Sequence, residues 1–289
     1  METCVIIGLG KVGSAIGFLL RKAGYRIAAV VDPSEEARQR NIHYTGGIAF
    51  SAPDRITIDA DCYLITTGDD HIAPACEALS GKLRSGAIVI HMSGAGGLDL
   101  LSAASARGAL TGCIHPLQTF PDIESAIAAM PGTVFGVTAD ARLKAWAERF
   151  VDAVGGVPFF IEDHQRPLYH AAACIVSNYF VSLMYMAGEL YRILGLDEGT
   201  ARRAYWPLLT GTMNNLAARG SVAALTGPIA RGDLGTLWKH LEAIRSDMPD
   251  LLPVYRELGR ITADIALKKN SISLEEAEKI KSLLAKGEE

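Results

Sequence analysis

Polar residues interrupt an otherwise apolar stretch in the second half of the sequence. Residues 169–178 read YHAAACIVSN, with His170 near one end and Ser177 and Asn178 at the other. They are either satisfied structural groups or side chains that face a ligand, because an unpaired buried polar group costs about 1–3 kcal/mol. Histidine can donate a proton near neutral pH. We therefore take His170, Asn178 and Ser177 as candidate catalytic residues.

The spacing of these residues places them on one side of a helix. At about 100° per residue, Cys174, Ser177 and Asn178 all lie within about 80° of His170, an arrangement that a core-facing stripe would share. His170 and Asn178 stand about 12 Å apart along the helix axis. A small substrate could lie between them, with one residue near the reacting carbon and the other at the far end.

A glycine motif near the N-terminus predicts a dinucleotide site. The sequence TCVIIGLGKVG places the spacing G-x-G-x-x-G between an apolar strand and a helix, and Asp32 ends the next strand. Gly8 would allow the tight turn, Gly10 the close approach of a pyrophosphate, and Gly13 the packing of helix on strand. An ordinary strand–turn–helix corner is the alternative. The expected cofactor contacts in this loop are Gly8, Leu9, Gly10, Lys11, Val12 and Gly13.

Asp32 bears on the choice between NAD and NADP. A carboxylate at this position can accept hydrogen bonds from ribose hydroxyls and would repel a 2′-phosphate, which favours NAD. Arg38 and Arg40 follow closely and could pair with a phosphate, so NADP stays open. The alternative role of Asp32 is to cap the helix that begins at Pro33.

Further polar residues follow predicted strands, where ligands of open α/β sheets bind. Thr66, Thr67 and Gly68 end one strand and are expected to contact the cofactor. Ser93, in HMSGAGG, and His115, in GCIHPLQTF, are expected to contact substrate at the nicotinamide end.

Each histidine at these strand ends has a structural alternative. His91 is the weaker substrate candidate, because it precedes the glycine turn, and His115 is the better one. Either side chain could instead be a satisfied structural histidine.

The segment LTGPIARGDLGTLWKH, residues 225–240, supplies the remaining substrate candidates: Thr226, Arg231 and Asp233. Arg231 could clamp a carboxylate through two N–H groups. Asp233 could instead cap the next helix, and His240, two turns further along, could be its hydrogen-bonded partner.

The elements that would position these residues follow from hydrophobic patterning. Apolar runs at 3–10, 26–32, 61–67, 86–94, 111–116, 133–138 and 156–161 alternate with helix-like segments, which indicates a parallel sheet covered on both faces. From residue 165 the strand pattern stops, and one long helix extends to Gly195. The predicted fold is α/β, with a doubly wound Rossmann domain over residues 1–160 followed by an all-α domain over residues 161–289.

Composition limits the classes of partner. The formal net charge is −4 with mixed signs, so we expect no nucleic acid. The N-terminus lacks the basic region of a signal peptide, and no uninterrupted apolar stretch reaches the about 18–20 residues of a membrane span, so we expect no membrane. Five cysteines without metal-ligand spacing predict reduced thiols in the cytoplasm and no metal.

Taken in order, GLGKVG, HMSGAGG, GCIHPLQTF, YHAAACIVSN and LTGPIARGD resemble one two-domain family. That family pairs a Rossmann-like domain with a helical domain of unknown function, number 2520. Some members are similar to ketopantoate reductases, and the wider superfamily includes pyrroline-5-carboxylate reductases, β-hydroxyacid dehydrogenases and prephenate dehydrogenases. His115-Pro116 resembles the His-Pro of the prephenate group.

The resemblance also implies a departure at the catalytic helix. β-Hydroxyacid dehydrogenases and the usual ketopantoate reductases carry a catalytic lysine and an asparagine four residues apart. If Asn178 matches that asparagine, Cys174 stands at the lysine position. A thiol is a weak donor, so His170 is the expected acid. Arg231-Gly232-Asp233 resembles the later Arg/acid segment of ketopantoate reductases, which implies substrate contact.

These observations predict an NAD(P)H-dependent reductase of a small carbonyl acid. The alternatives are an imine reductase of the pyrroline-5-carboxylate type, whose iminium substrate arrives protonated, and a non-catalytic redox sensor that binds NAD(P). Long apolar helices such as 175–194 favour a homodimer formed through the helical domain.

Overall fold

The apolar runs of the first half form one sheet in the computed structural model, which describes residues 1–285. The order across the sheet is β3-β2-β1-β4-β5-β6-β7-β8. In chain order the strands are β1 (Thr3–Ile7), β2 (Arg26–Val31), β3 (Ile48–Phe50), β4 (Cys62–Ile65), β5 (Ile88–His91), β6 (Leu110–Pro116), β7 (Val134–Ala139) and β8 (Val157–Phe160). The sheet confirms the predicted α/β class. Only β3 was not expected, because three residues give no readable pattern.

Helices cover both faces of this sheet. They are α1 (Lys11–Lys22), α2 (Glu35–Thr45), α3 (Ile72–Ser80), α4 (Ser102–Ser105), α5 (Ile123–Ala129), α6 (Lys144–Ala153) and α7 (Arg166–Cys174). Alternate residues of β1 divide between two apolar cores, with Cys4 and Ile6 in one and Val5 and Ile7 in the other. Side chains on a strand alternate between faces, so each face has its own core, as the doubly wound prediction required.

One strand pair departs from the predicted parallel arrangement. β6 and β7 are antiparallel, with Gly136 opposite His115, while the other neighbouring pairs are parallel. The intervening α5 packs against α1, and the chain then enters the sheet in the opposite direction. A strand that is buried on both faces is apolar throughout, whether it runs parallel or antiparallel to its neighbour. The sequence therefore could not show the direction of β7.

The first compact unit extends from Met1 to Asn178. It therefore ends after α7, whereas the sequence placed the boundary at residue 160, after β8. The reason is that the side chain of Arg166, at the start of α7, is bonded to Thr138 on β7 and to the backbone after β5.

The second unit begins at Tyr179 and contains helices and no strand over its described residues. Its helices are α8 (Phe180–Ile193), α9 (Glu198–Ala224), α10 (Leu234–Asp247), α11 (Leu252–Lys268) and α12 (Leu274–Ala285). The helical run of α9 is interrupted at Gly220, whose φ is +73°. Leu237, Leu241 and Ile280 belong to a separate apolar core of this unit.

A π-helical turn, Ile175–Tyr179, joins α7 to α8. A π-turn contains more residues than an α-turn, so the ideal α-helical angles hold only as far as Cys174. Ser177 and Asn178 lie within the π-turn, so the angles predicted for them from an ideal α-helix do not apply.

The segment Asp163–Ile193 is long and apolar enough to cross a membrane by length and composition, and none of its most apolar window is buried within residues 1–285. The sequence analysis did not expect this, because His170, Ser177 and Asn178 interrupt the apolar run. A single segment of this kind is weak evidence for a membrane span. It does show a large exposed apolar surface.

Candidate active site

The glycine loop joins β1 to α1 and is shaped by close backbone packing. Gly8 has a φ of +106°, and a Cβ on it would lie 2.8 Å from the carbonyl carbon of Thr66. A Cβ on Gly13 would lie 2.0 Å from the Gly8 oxygen. By contrast, a Cβ on Gly10 would meet no described atom within 4 Å. Gly8 and Gly13 therefore allow the packing, and Gly10 leaves open space for a ligand.

The start of α1 fits the pyrophosphate of a dinucleotide. Within the described chain, Gly10 provides no side-chain cap and the first turn, which includes Lys11 and Val12, holds no acidic residue. The N–H groups of this turn are therefore available to an anion. The Thr67 hydroxyl is buried without a hydrogen-bond partner among residues 1–285, as expected of a group that awaits a ligand. Gly68 follows it at the end of β4.

Thr66 has a structural role instead. Its hydroxyl lies 2.7 Å from the Gly8 oxygen and 3.1 Å from the Ile7 oxygen. Thr66 thus ties the end of β4 to the glycine loop, and Thr67 is the better candidate for cofactor contact.

Asp32 fixes the glycine loop from the end of β2. Its Oδ2 accepts the Leu9 N–H at 2.8 Å, and its Oδ1 accepts the Ser34 N–H at 2.9 Å. The alternative that Asp32 caps α2 is wrong, because Ser34 is the capping residue and accepts the Ala37 N–H. Asp32 therefore presents its carboxylate to the loop where the adenosine ribose of a dinucleotide would bind.

The two arginines after Asp32 have local partners. The Arg38 guanidinium donates to the carbonyl oxygens of Asp32 and, at 3.1 Å, Pro33. Arg40 pairs with Glu36 at 3.1 Å on the exposed face of α2. Arg38 is the cation nearer to the ribose position.

His91 has the structural role that was its alternative. Its Nε2 lies 3.0 Å from the Gly97 oxygen, and its Nδ1 accepts the Ser93 N–H at 3.2 Å. Burial lowers the pKa of His91 to about 4, so the ring is neutral at pH 7. The Ser93 hydroxyl accepts the Gly96 N–H at 2.8 Å, which leaves its own hydrogen to donate. His91 therefore holds the glycine turn after β5 in shape.

His115 lies against α7 at the end of β6. Its Nδ1 is 3.0 Å from the Tyr169 hydroxyl, and the His115 and His170 rings meet edge to face with centroids 5.9 Å apart. Burial, with Arg166, His170 and His91 adding to it, lowers the pKa of His115 to about 4. The ring is neutral at pH 7, so any contact with a carboxylate would be a hydrogen bond without ionic attraction.

His170 faces the glycine turn after β5. A Cβ on Gly94 would lie 2.2 Å from the His170 Nδ1, so only glycine allows this approach. That Nδ1 is buried and has no hydrogen-bond partner in the described structure. The Nε2 lies 3.6 Å from the Cys174 sulfur. The Nδ1 edge of the ring thus lies against Gly94, and the Nε2 edge faces Cys174.

Ser177 and Asn178 end the first unit within the π-turn. Ser177 is half-buried and Asn178 is exposed. Their contact with a substrate stays a prediction.

Sequence reasoning missed two residues of this cluster, Arg166 and Tyr169. The Arg166 side chain is completely buried, and its guanidinium donates to the Thr138 hydroxyl at 3.0 Å and to the Ser93 and Gly94 oxygens at 2.6 and 3.3 Å. One signal was readable: a cation in the first turn of a helix opposes the helix dipole and needs another reason to be there.

The predicted residues of the second unit have mainly structural contacts. Asp233 caps α10, since it accepts the Thr236 N–H at 3.0 Å, which confirms the capping alternative. The predicted pairing of His240 with Asp233 is wrong, because the His240 Nδ1 lies 2.7 Å from the Tyr255 hydroxyl. Thr226 and Arg231 are exposed, and their substrate contact stays a prediction.

The five cysteines are free, and only Cys174 is not buried. Over residues 1–285, no three His, Cys, Asp or Glu side chains are grouped so that they could hold a metal ion.

Family models match both halves of the chain. One for Rossmann-like domains matches residues 3–116, and one for a domain of unknown function, DUF2520, matches residues 133–262. The chain thus has one region similar to Rossmann-like domains and one similar to DUF2520 domains. This confirms the resemblance that the motifs indicated. His115 lies in the region that the Rossmann-like model matches, and Tyr169 and His170 lie in the region that the DUF2520 model matches, although all three belong to the first compact unit.

Solved structures share this fold. The crystal structure of BF3122 from Bacteroides fragilis, a candidate NADP oxidoreductase, has a TM-score of 0.74 and 20% identity, covering 92% of this chain and 98% of that one. Protein TM1727 from Thermotoga maritima has a TM-score of 0.71 and 24% identity, covering 92% and 99%. A pyrroline-5-carboxylate reductase from Coxiella burnetii has a TM-score of 0.59 and 17% identity, covering 98% of both chains. A search of curated proteins found no match.

Proposed function

We propose that the protein is an NAD(P)H-dependent reductase of a small carbonyl acid, a 2-keto acid of the ketopantoate kind. One observation carries this proposal. The His115 and His170 rings meet at the carboxyl ends of β5 and β6, in the same sheet whose β1–α1 loop is open above Gly10. Ligands of open α/β sheets bind along this edge, so the glycine loop and the histidine pair would face one ligand.

The nicotinamide, when bound, supplies a hydride to the carbonyl carbon. The chain must then supply a proton to the oxygen as negative charge develops there. His170 is the proposed donor through Nε2, and Ser177 and Asn178 orient the carbonyl. In the first unit, the proposed carboxylate contact is His115, as a neutral hydrogen-bond donor. In the second unit, Arg231 stays a candidate for binding a carboxylate. Ser93, Thr226 and Asp233 complete the proposed substrate contacts.

Oxidation of NADH and NADPH by the purified protein tests this function. The panel contains ketopantoate, other small 2-keto acids and cyclic imines such as pyrroline-5-carboxylate. We expect turnover of at least one keto acid. Tight cofactor binding without turnover of any compound would contradict the proposal and favour a non-catalytic redox sensor.

The second candidate is an imine reductase. Two points favour it: the family resemblance implies that Cys174 takes the place of the catalytic lysine if Asn178 matches the family asparagine, and His115 is neutral at pH 7. An iminium nitrogen arrives protonated, so this chemistry needs a weaker acid. Preferential turnover of cyclic imines in the same panel would select this candidate.

We propose NADH as the preferred cofactor, because Asp32 ends β2 beside the glycine loop and its carboxylate would repel a 2′-phosphate on a ribose bound there. Replacing Asp32 by asparagine should lower the ratio of KM for NADPH to KM for NADH by about tenfold, since one like-charge repulsion is removed. Glu36→Gln, at an exposed acid on α2, is the control. An unchanged ratio in Asp32→Asn would show that Asp32 does not decide the choice.

We propose that a second copy of the chain covers the exposed apolar surface of the second unit. We also propose that this homodimer is located in the cytoplasm and does not bind a membrane. Val181 and Tyr185 on α8 are 66% and 67% exposed. Exposed apolar patches of this kind mark interfaces. Glu189 and Arg192, paired at 2.9 Å, lie in the same segment and would be costly in lipid. The free cysteines support a reducing compartment.

Sedimentation equilibrium should therefore give twice the chain mass in the absence of detergent. Tyr185→Glu should shift the equilibrium to the monomer, because it places a charge in the interface. Leu274→Glu, at a similarly exposed leucine of α12, should remain dimeric. A monomeric wild-type protein, or one that requires detergent, would refute the proposal.

A further inference from the structure

Arg166 is a buried cation without an acidic partner. Its side chain is 0% exposed, and its three hydrogen bonds go to one hydroxyl and two backbone oxygens. Its Nε has no partner in the part of the chain that the structure describes. Burying a charge without an opposite charge costs several kcal/mol of desolvation free energy, even when the group is hydrogen-bonded. An apolar side chain could hold α7 in place without that penalty. The charge is the feature that anchoring alone does not explain.

This charge acts on the proposed substrate position. Arg166 donates to the Gly94 oxygen, and Gly94 is the residue that the His170 ring touches. After burial, Arg166 is the largest contributor to the lowered pKa of His115. The guanidinium disfavours protonation of His115 by electrostatic repulsion, and it would repel any other cation bound next to His115 in the same way.

The other titratable groups around the cluster do not offset the charge. His91 and His115 are neutral at pH 7, because burial lowers each pKa to about 4. Asp69 and Asp163 both raise the pKa of His91, but both are exposed to solvent, which screens them. The local charge next to His115 and His170 is therefore positive.

We propose that Arg166 determines the substrate class by favouring an anionic carbonyl compound over a protonated imine. The inference rests on the proposed reductase function. Hydride addition to a carbonyl carbon leaves negative charge on the oxygen, which then takes a proton to give the alcohol. A buried cation stabilises that charge and also attracts a substrate carboxylate. A protonated imine carries positive charge until the hydride neutralises it, so Arg166 repels it on binding.

Two inert probes test this on the wild-type protein. Oxamate resembles a 2-keto acid and is an anion, whereas pyrrolidine is a cation that resembles a protonated cyclic imine. With NADH bound, titration calorimetry should show that oxamate binds at least about tenfold more tightly than pyrrolidine, a difference of about 1.4 kcal/mol. Equal or reversed affinities would overturn the inference. Because neither probe reacts, the result does not depend on turnover, and absence of turnover on the substrate panel would contradict the function alone.

Two substitutions separate charge from position. Arg166→Met removes the charge and should lower the oxamate-to-pyrrolidine affinity ratio by about tenfold, whereas Arg166→Lys keeps the charge and should retain the ratio. NMR titration should also show a raised pKa for His115 in Arg166→Met and not in Arg166→Lys, because the lysine keeps the positive charge without the hydrogen bonds of the guanidinium. Arg107→Met, at an exposed arginine of the same unit, is the control. An unchanged ratio in Arg166→Met would overturn the inference, and if that variant does not fold, the wild-type ratio decides.

Discussion

Replacing Gly10 by alanine is expected to leave the fold intact and to weaken dinucleotide binding by about 10- to 100-fold. The unbound protein has room for the new methyl group, since no described atom lies within 4 Å of the Cβ position, and the φ of −72° suits alanine. A pyrophosphate at the start of α1 would occupy the same space. Steric overlap of this kind costs about 1–3 kcal/mol, which corresponds to the expected loss of affinity. Titration calorimetry with NADH and NADPH measures it.

Gly13→Ala is the matched control within the same loop. Its Cβ would lie 2.0 Å from the Gly8 oxygen, so the substitution should lower the free energy of unfolding as well as cofactor affinity. Thermal unfolding of both variants separates the two effects. Wild-type affinity for both dinucleotides in Gly10→Ala would place the pyrophosphate elsewhere and remove the basis of the proposed function.

The parts of the fold that the sequence predicted are those with local signals. The strand before Gly8, the glycine spacing and Asp32 lie within one βαβ unit, so their roles follow from short-range pattern. Even there, the hydrogen bond from Leu9 to Asp32 was not predicted, because it crosses from one strand end to the next.

The parts that the sequence did not predict depend on contacts between distant residues. Arg166 reaches Thr138, 28 residues away, and Ser93, 73 residues away, and neither partner differs in type from an ordinary loop or strand residue. Tyr169 lies beside His170 in sequence, yet its partner His115 is 54 residues away. Such pairings depend on how α7 lies on the sheet, which local periodicity does not describe.

The π-turn after Cys174 limited the prediction in another way. Angles along the YHAAACIVSN helix were derived for an ideal α-helix, and the structure keeps that geometry between His170 and Cys174, whose side chains touch at 3.6 Å. The π-turn then shifts the register of Ser177 and Asn178. Nothing in the residue types IVSNY distinguishes a π-turn from an α-turn, but such turns occur often at functional sites.

Replacing His170 by alanine is expected to lower kcat for a keto acid by about 10²–10⁴ while leaving the dissociation constant for NADH unchanged. The loss in kcat follows because His170 is the proposed proton donor. The cofactor loop should be unaffected, because β4 and β5 separate it from β6, and α7 touches the turn after β5 rather than the β1–α1 loop. Stopped-flow oxidation of NADH and equilibrium titration measure the two quantities.

Two controls show whether the ring acts as an acid or as packing. His164→Ala removes an exposed histidine just before α7 and should leave kcat unchanged. Added imidazole should restore part of the activity of His170→Ala if a missing acid is the defect. Gly94→Ala should also lower kcat, because its Cβ would lie 2.2 Å from the His170 Nδ1 and displace the ring. Full activity in His170→Ala would eliminate this residue as the donor.

The loss of kcat in His170→Ala, compared between keto acids and imines, shows why the apolar helix α7 carries a histidine. A keto acid needs a proton from the protein as its oxygen becomes negative, whereas an iminium nitrogen is already protonated. His170→Ala should therefore slow keto-acid reduction much more than imine reduction. If both reactions slow equally, His170 orients the substrate or α7 and is not the acid. The Cys174 thiol lies 3.6 Å from the His170 Nε2, but a thiol is too weak a donor to replace that acid efficiently. The reaction would then be one in which the substrate brings its own proton.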